Sequence, residues 1–242
     1  MQPRFPIPDH VHMLGFFERP HQIEKKEQNT VNRKGTMSIL FTTGATVTFR
    51  PLLDEITNPD FLELLASAGF RTLSIQYGNE INATGANLSK SYFSELLASK
   101  GLVEHFDLEI ANEFNDKSVT IFRNSKFTLR AFGFANNINT YISQADLVVS
   151  HAGTGSILDT LRLKKPLIVV TNDSLMDNHQ AEIAARFEAE NYLVKVTEAE
   201  LKKGLLGEKI QLWKNGEISL DSLPDPPAGV LENVIAEELE KC

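Results

Sequence analysis

The chain has 242 residues, a formal net charge of −8 and 42% hydrophobic residues. That fits an ordinary folded domain and argues against nucleic acid as a partner, since phosphate binding needs a basic face. Its single cysteine is Cys242, so no disulfide framework is expected and a reducing compartment is the simpler reading.

Residues 1–36 read as a loosely ordered extension, because Pro3, Pro6, Pro8 and Pro20 interrupt any periodicity. This start also lacks the apolar core of a signal peptide. No run approaches the roughly 18 apolar residues of a membrane span, so membrane association is expected to come from a partner or a surface contact. From Met37 onward strands and helices alternate. SILFTT (38–43) is a buried-strand run. NPDFLELLASAGF has helix grammar, with Asn58 to cap, Pro59 in the first turn and Gly69 at the stop. RTLSIQY (71–77) reads as a strand, and residues 89–101 as a helix ending at a glycine. SVTIFRNSKFTLRAF (118–132) reads as two strands around a polar turn, which leaves room for an antiparallel part. Then follow a helix (136–145), a strand (146–150), a helix (155–163), a strand (166–170), a helix (178–190), a strand (192–196) and a helix (198–206).

Such alternation requires a mainly parallel sheet with helices on both faces. Residues 37–206 are therefore expected to form one Rossmann-like α/β domain. Residues 207–242 are read as a linker and a C-terminal helix, whose Val230, Val234, Ile235 and Leu239 share one face. That helix either packs on its own domain or docks on a partner.

Two small-residue turns follow strands. In FTTGATVTF, Gly44 allows close backbone approach, and Thr42, Thr43 and Thr46 carry hydroxyls. This is either a phosphate cradle or a tight turn without a ligand. In SHAGTGSILD, Gly153 and Gly155 leave room, and Thr154 and Ser156 offer hydroxyl donors at a helix start. Asp159 either caps that helix or accepts the hydroxyls of a ribose. A third loop, TNDSLMDNHQ, brings Asn178, His179 and Gln180 to a helix start; such groups suit a sugar's hydroxyls, or simply cap the helix. All three lie at the carboxyl ends of expected strands, where open α/β sheets bind ligands. No G-x-G-x-x-G follows the first strand, which argues against a dinucleotide-dependent dehydrogenase.

ILFTTGAT, VVSHAGTGSILDTLRLKKPLIVV and NDSLMDNHQAEIAARF together resemble the catalytic subunit of the fungal and animal UDP-N-acetylglucosamine transferase of the dolichol pathway. More distantly, the pattern is similar to the donor-binding half of the bacterial glycosyltransferase that makes the peptidoglycan lipid precursor. The resemblance implies a GT-B donor-binding half-enzyme. Its membrane-anchored, acceptor-binding partner would hold it at the cytosolic face of the endoplasmic reticulum, with the C-terminal helix in that contact. It implies transfer of N-acetylglucosamine, with inversion, from UDP-N-acetylglucosamine to a dolichol-linked acceptor; no cofactor is expected, and with no Asp-x-Asp motif near the turns no metal is required. Thr43, Gly44, Ala45 and Thr46 then face the diphosphate, and Phe134 and Ala135 border the uracil. Gly153, Thr154, Gly155 and Ser156 lie near the α-phosphate and sugar, Asp159 near the ribose, and Asn178, His179 and Gln180 at the sugar hydroxyls. An inverting transfer also needs a base, for which His151 is the candidate within the second turn. The rival reading is a non-catalytic nucleotide-sugar-binding subunit that regulates its partner.

Overall fold

The computed structural model describes residues 36–44, 46–111, 119–171 and 179–225. The N-terminal extension and the C-terminal helix expected from the sequence lie outside these residues, as do Ala45 and Asn178.

The chain begins with β1 (Met37–Thr42), α1 (Arg50–Ile56), α2 (Pro59–Ser67), β2 (Phe70–Gln76), α3 (Leu88–Ser99) and α4 (Leu102–His105). It continues with β3 (Glu109–Ile110), β4 (Val119–Arg123), β5 (Thr128–Phe132), α5 (Ile138–Gln144), β6 (Leu147–His151) and α6 (Thr154–Arg162). The last elements are β7 (Leu167–Thr171), α7 (His179–Ala189), β8 (Val194–Thr197), α8 (Glu198–Leu201) and α9 (Leu205–Lys214). The strands form one sheet in the order β3-β4-β5-β2-β1-β6-β7-β8. Pairings from β5 through β8 are parallel, while β4 runs antiparallel to both β3 and β5. This is the Rossmann-like α/β sheet with an antiparallel part that the alternation called for.

Local chemistry sets several boundaries. The Asn58 side chain accepts the Asp60 N–H at 3.0 Å and opens α2, whose Pro59 has no N–H to lose there. Asn124 makes the turn between β4 and β5, accepting the N–H groups of Lys126 and Phe127 at 2.8 Å each.

Two cores flank the sheet. On one face Phe41, Leu73 and Ile75 meet Leu52, Leu53 and Ile56 of α1, Phe61, Leu62 and Leu65 of α2, Leu201 of α8, and Leu206, Ile210 and Trp213 of α9. On the other face Val148, Leu167 and Val169 meet Ile142 of α5, Ile157 and Leu161 of α6, and Ala184 of α7.

The helix expected over 198–206 is instead two helices. Gly204, with φ of +79°, adopts a left-handed turn that an α-helix interior cannot contain. A second helix, α9, starts immediately after it and buries Leu206, Ile210 and Trp213. The packed unit therefore runs past residue 206, through the end of α9, and the boundary expected there falls inside a core helix.

Candidate functional site

β1 pairs with β2 on one side and with β6 on the other. The connection leaving β1 runs through α1 and α2, which build the first core. The connection leaving β6 runs through α6, which builds the second. Neighbouring strands thus send the chain to opposite faces, and a crevice opens between their carboxyl ends. That is the topological switch point at which open α/β sheets take ligands. Both glycine turns singled out in the sequence border it.

The first turn is tighter than its composition implies. Thr43 is fully buried, and its N–H and hydroxyl both donate to the Gln76 carbonyl, at 3.1 and 2.9 Å. Its own carbonyl accepts the Phe49 N–H at 2.7 Å. Thr42 donates its hydroxyl to Ser150 Oγ at 2.8 Å. Both hydroxyls are therefore spent holding strand ends together, and Thr43 has no group left to face a diphosphate. Thr46 is exposed and remains available. Gly44 has φ of +112°, and a Cβ there would lie 2.2 Å from the Val47 carbonyl oxygen; only glycine fits this turn. The helix that follows the turn, α1, starts only at Arg50 and has seven residues.

Residues the sequence reading missed brace this turn from behind. Thr48 lies 2.7 Å from the Tyr77 carbonyl and 2.6 Å from Ser89 Oγ, and Ser89 Oγ accepts the Glu80 N–H at 2.8 Å. The buried chain Glu80–Ser89–Thr48–Tyr77 joins the first turn, the end of β2 and the start of α3. Ser89 lies 41 positions from Thr48, and no local sequence signal links them.

The second turn keeps its donors. Gly153 is the N-cap of α6 and offers no side chain, so the first-turn N–H groups at Thr154, Gly155 and Ser156 have no side-chain cap. They meet the crevice with the positive end of the helix dipole behind them, an arrangement that favours an anion. A Cβ on Gly155 would meet nothing within 4 Å. Asp159 is the sixth residue of α6, so it does not cap the helix, as the sequence had left open. It lies about 7 Å along the axis from Thr154, on the face it shares with Gly155 and Ser156. It is half-buried, and no described residue hydrogen-bonds or ion-pairs with its carboxylate.

His151 stands between the two turns. Its Nε2 is 3.9 Å from the place of a Cβ on Gly44 and 2.5 Å from that of a Cβ on Gly153. Burial pushes its pKa below the ordinary imidazole value, and the Thr42 backbone carbonyl opposes the shift. Nδ1 is buried with no hydrogen-bond partner among the described residues. Nδ1 is thus closed to solvent, and no carboxylate among the described residues stands behind it to stabilise an imidazolium. Because the folded pKa lies below the unfolded one, the unfolded chain binds more protons between the two values. Stability is then expected to fall as pH drops below about 6.5 toward the lowered value. Urea midpoints for wild type and His151→Asn at descending pH check this, since the substitution should flatten the slope.

The remaining expected residues lie along the same edge. Phe134, half exposed, and Ala135 follow β5, two strands beyond β1, roughly 10 Å away by strand spacing. The ends of β5 and β2 approach closely there: the Gly78 N–H donates to the Gly133 carbonyl at 3.2 Å, and a Cβ on Gly133 would lie 2.9 Å from the Gly78 oxygen. His179 and Gln180 open α7 after β7, one strand beyond β6. No described helix is long and apolar enough to cross a membrane.

Residues 94–215 match the glycosyltransferase family 28 C-terminal domain, a region that ends just after α9. The chain is 42% identical over 219 residues to the UDP-N-acetylglucosamine transferase subunit ALG13 of Candida albicans, covering 84% of this chain and 74% of that one. It is 40% identical to the Debaryomyces hansenii subunit of the same name, covering 84% of this chain and 99% of that one. An NMR solution structure of ALG13 superposes with a TM-score of 0.55 at 32% identity, over 85% of this chain and 98% of that one. The Acinetobacter baumannii MurG crystal structure shares the fold, with a TM-score of 0.54 at 12% identity, over 86% of this chain and 51% of that one. With its switch-point crevice and these relatives, the chain belongs to glycosyltransferase family 28, among the ALG13-type transferase subunits.

Proposed function

We propose that the chain is the donor-binding subunit of an inverting N-acetylglucosaminyltransferase. It holds UDP-N-acetylglucosamine in the crevice between the ends of β1 and β6, for transfer to dolichol-diphosphate-N-acetylglucosamine. The observation that carries this reading is the uncapped start of α6 opposite the Gly44 turn, across a switch point, in a chain of this family. The diphosphate sits against the N–H groups of Thr154, Gly155 and Ser156. These groups also stabilise the charge that develops on UDP as the glycosidic bond breaks. One turn further along, Asp159 accepts the ribose hydroxyls. Phe134 and Ala135 border the uracil, and Asn178, His179 and Gln180 read the sugar. His151, neutral through burial, offers Nε2 to the ligand at the floor of the crevice.

The acceptor is held by a membrane-anchored partner that recruits this chain to the cytosolic face of the endoplasmic reticulum. Support for a partner comes from the relatives' designation as transferase subunits. The C-terminal segment, with its apolar Val230, Val234, Ile235 and Leu239, is the proposed docking element.

Asp159→Ala is expected to weaken UDP binding by about 1.5–3 kcal/mol through loss of a charge-assisted hydrogen bond. Thermal unfolding should stay within about 0.5 kcal/mol of wild type, because the carboxylate has no partner among the described residues. Calorimetric titration and thermal melts separate the two quantities. The function itself is tested by product formation from radiolabelled UDP-N-acetylglucosamine on a dolichol-linked acceptor, using the co-purified complex and each chain alone. Turnover by the complex that is lost when Gly155 is replaced supports catalysis through this crevice. Turnover by the partner alone would assign this chain the regulatory role instead.

A further inference from the structure

On β1, β2 and β5 the two faces of the sheet differ in kind. The cross-strand rows Ile39–Leu73–Leu129 and Phe41–Ile75–Ala131 belong to the first core. The alternate rows point to the opposite face. They read Ser38–Thr72–Thr128, then Leu40–Ser74–Arg130, then Thr42–Gln76–Phe132. On that same face, β6 and β7 present Val148, Leu167 and Val169. A helix-packing surface is apolar, as it is on β6 and β7. Over β1, β2 and β5 the same face sets Leu40 and Phe132, which join the second core, among hydroxyls, an amide and a guanidinium.

A cavity of about 300 Å³ opens on these polar rows, with Thr72, Ser74 and Arg130 on the strands and Ser38, Tyr141 and Gln144 toward α5. Ser74 is only 7% exposed, yet its hydroxyl has no hydrogen-bond partner among the described residues, and the same holds for the Thr72 hydroxyl and the Arg130 guanidinium. Among the described residues no acidic side chain lines the cavity. Asp146, which accepts the Ser38 N–H and hydroxyl at 2.7 and 2.9 Å, is not among the lining residues. These three groups open onto the cavity and stay accessible to a solute, since the one sealed and unpartnered side-chain atom among the described residues is His151 Nδ1. Water serves a hydroxyl, but a guanidinium beside neutral donors, with no acid among the described lining residues, suits an oxyanion.

We propose that this cavity is a second anion site, which takes a small soluble oxyanion of phosphate type, with Arg130 supplying the charge and Ser74 and Thr72 the neutral donors. It lies on the face of the sheet, away from the carboxyl-end crevice, and does not depend on what that crevice binds.

The test is a titration of the full chain with inorganic phosphate at constant ionic strength, read in ¹⁵N–¹H correlation spectra, with and without saturating UDP. Saturable shifts are expected at the Thr72, Ser74 and Arg130 amides and at Arg130 Nε, whether or not UDP is present. Arg130→Gln should weaken the response by about tenfold or more. Ser74→Ala should weaken it severalfold and provides the reading if Arg130→Gln does not fold. Shifts that do not saturate, that spread over the whole surface, or that persist unchanged in both variants overturn the proposal.

Discussion

Replacing Gly155 with valine is expected to abolish UDP binding, by about 100-fold or more (roughly 2.7 kcal/mol), while leaving thermal unfolding unchanged. In the free chain a Cβ at this position meets nothing within 4 Å, so the valine side chain folds into empty space. That space is the one the proposed diphosphate occupies against the first N–H groups of α6. Gly44→Val gives the contrast. There φ is +112° and the new Cβ would lie 2.2 Å from the Val47 carbonyl oxygen. The turn itself must break, with a stability loss of about 3 kcal/mol or more. Both variants lose UDP, but only the Gly44 variant loses stability as well. Calorimetric titration and thermal melts on the pair read this directly. Full UDP affinity in Gly155→Val removes the second turn from the site.

A chain ending at residue 206 is expected not to fold, whereas one ending at 225 unfolds in a single cooperative transition. The reason is α9. Leu206, Ile210 and Trp213 are each no more than 2% exposed and pack into the same core as α1, α2 and the sheet. Truncating a buried tryptophan alone costs about 3–5 kcal/mol, against a total of about 5–15 kcal/mol for a domain. Removing the whole helix also bares the apolar surface of its neighbours. Urea unfolding followed by circular dichroism checks both lengths. A cooperative transition at an unchanged midpoint in the shorter chain would show that α9 is an appendage.

Much of the scaffold was legible because its signals are local. Asn58 and Pro59 mark the start of α2 by backbone chemistry alone, and the apolar runs of β1, β6 and β7 reflect strands buried on both faces. The antiparallel β4–β5 pair was visible in its polar Asn124 turn. The helix periodicity of Leu206, Ile210 and Trp213 was also present, beyond the point at which the expected helix was ended.

The site was legible by composition and not by orientation. Small residues after β1 and β6 marked where a backbone can approach a ligand. Which hydroxyls remain free was decided by tertiary hydrogen bonds: Thr42 to Ser150, 108 positions away, and Thr43 to Gln76. The brace formed by Thr48 and Ser89 is of the same kind. The capping alternative for Asp159 failed because α6 begins at Thr154, which places the acid beyond the first turn.

The most direct test of the central claim is a crystal structure of this chain with UDP-N-acetylglucosamine bound. The account predicts the diphosphate within hydrogen-bond distance of the Thr154, Gly155 and Ser156 amides, beside the Gly44 turn and His151, with the Asp159 carboxylate on the ribose. A donor bound anywhere else on the chain, or a diphosphate turned away from the start of α6, would contradict it.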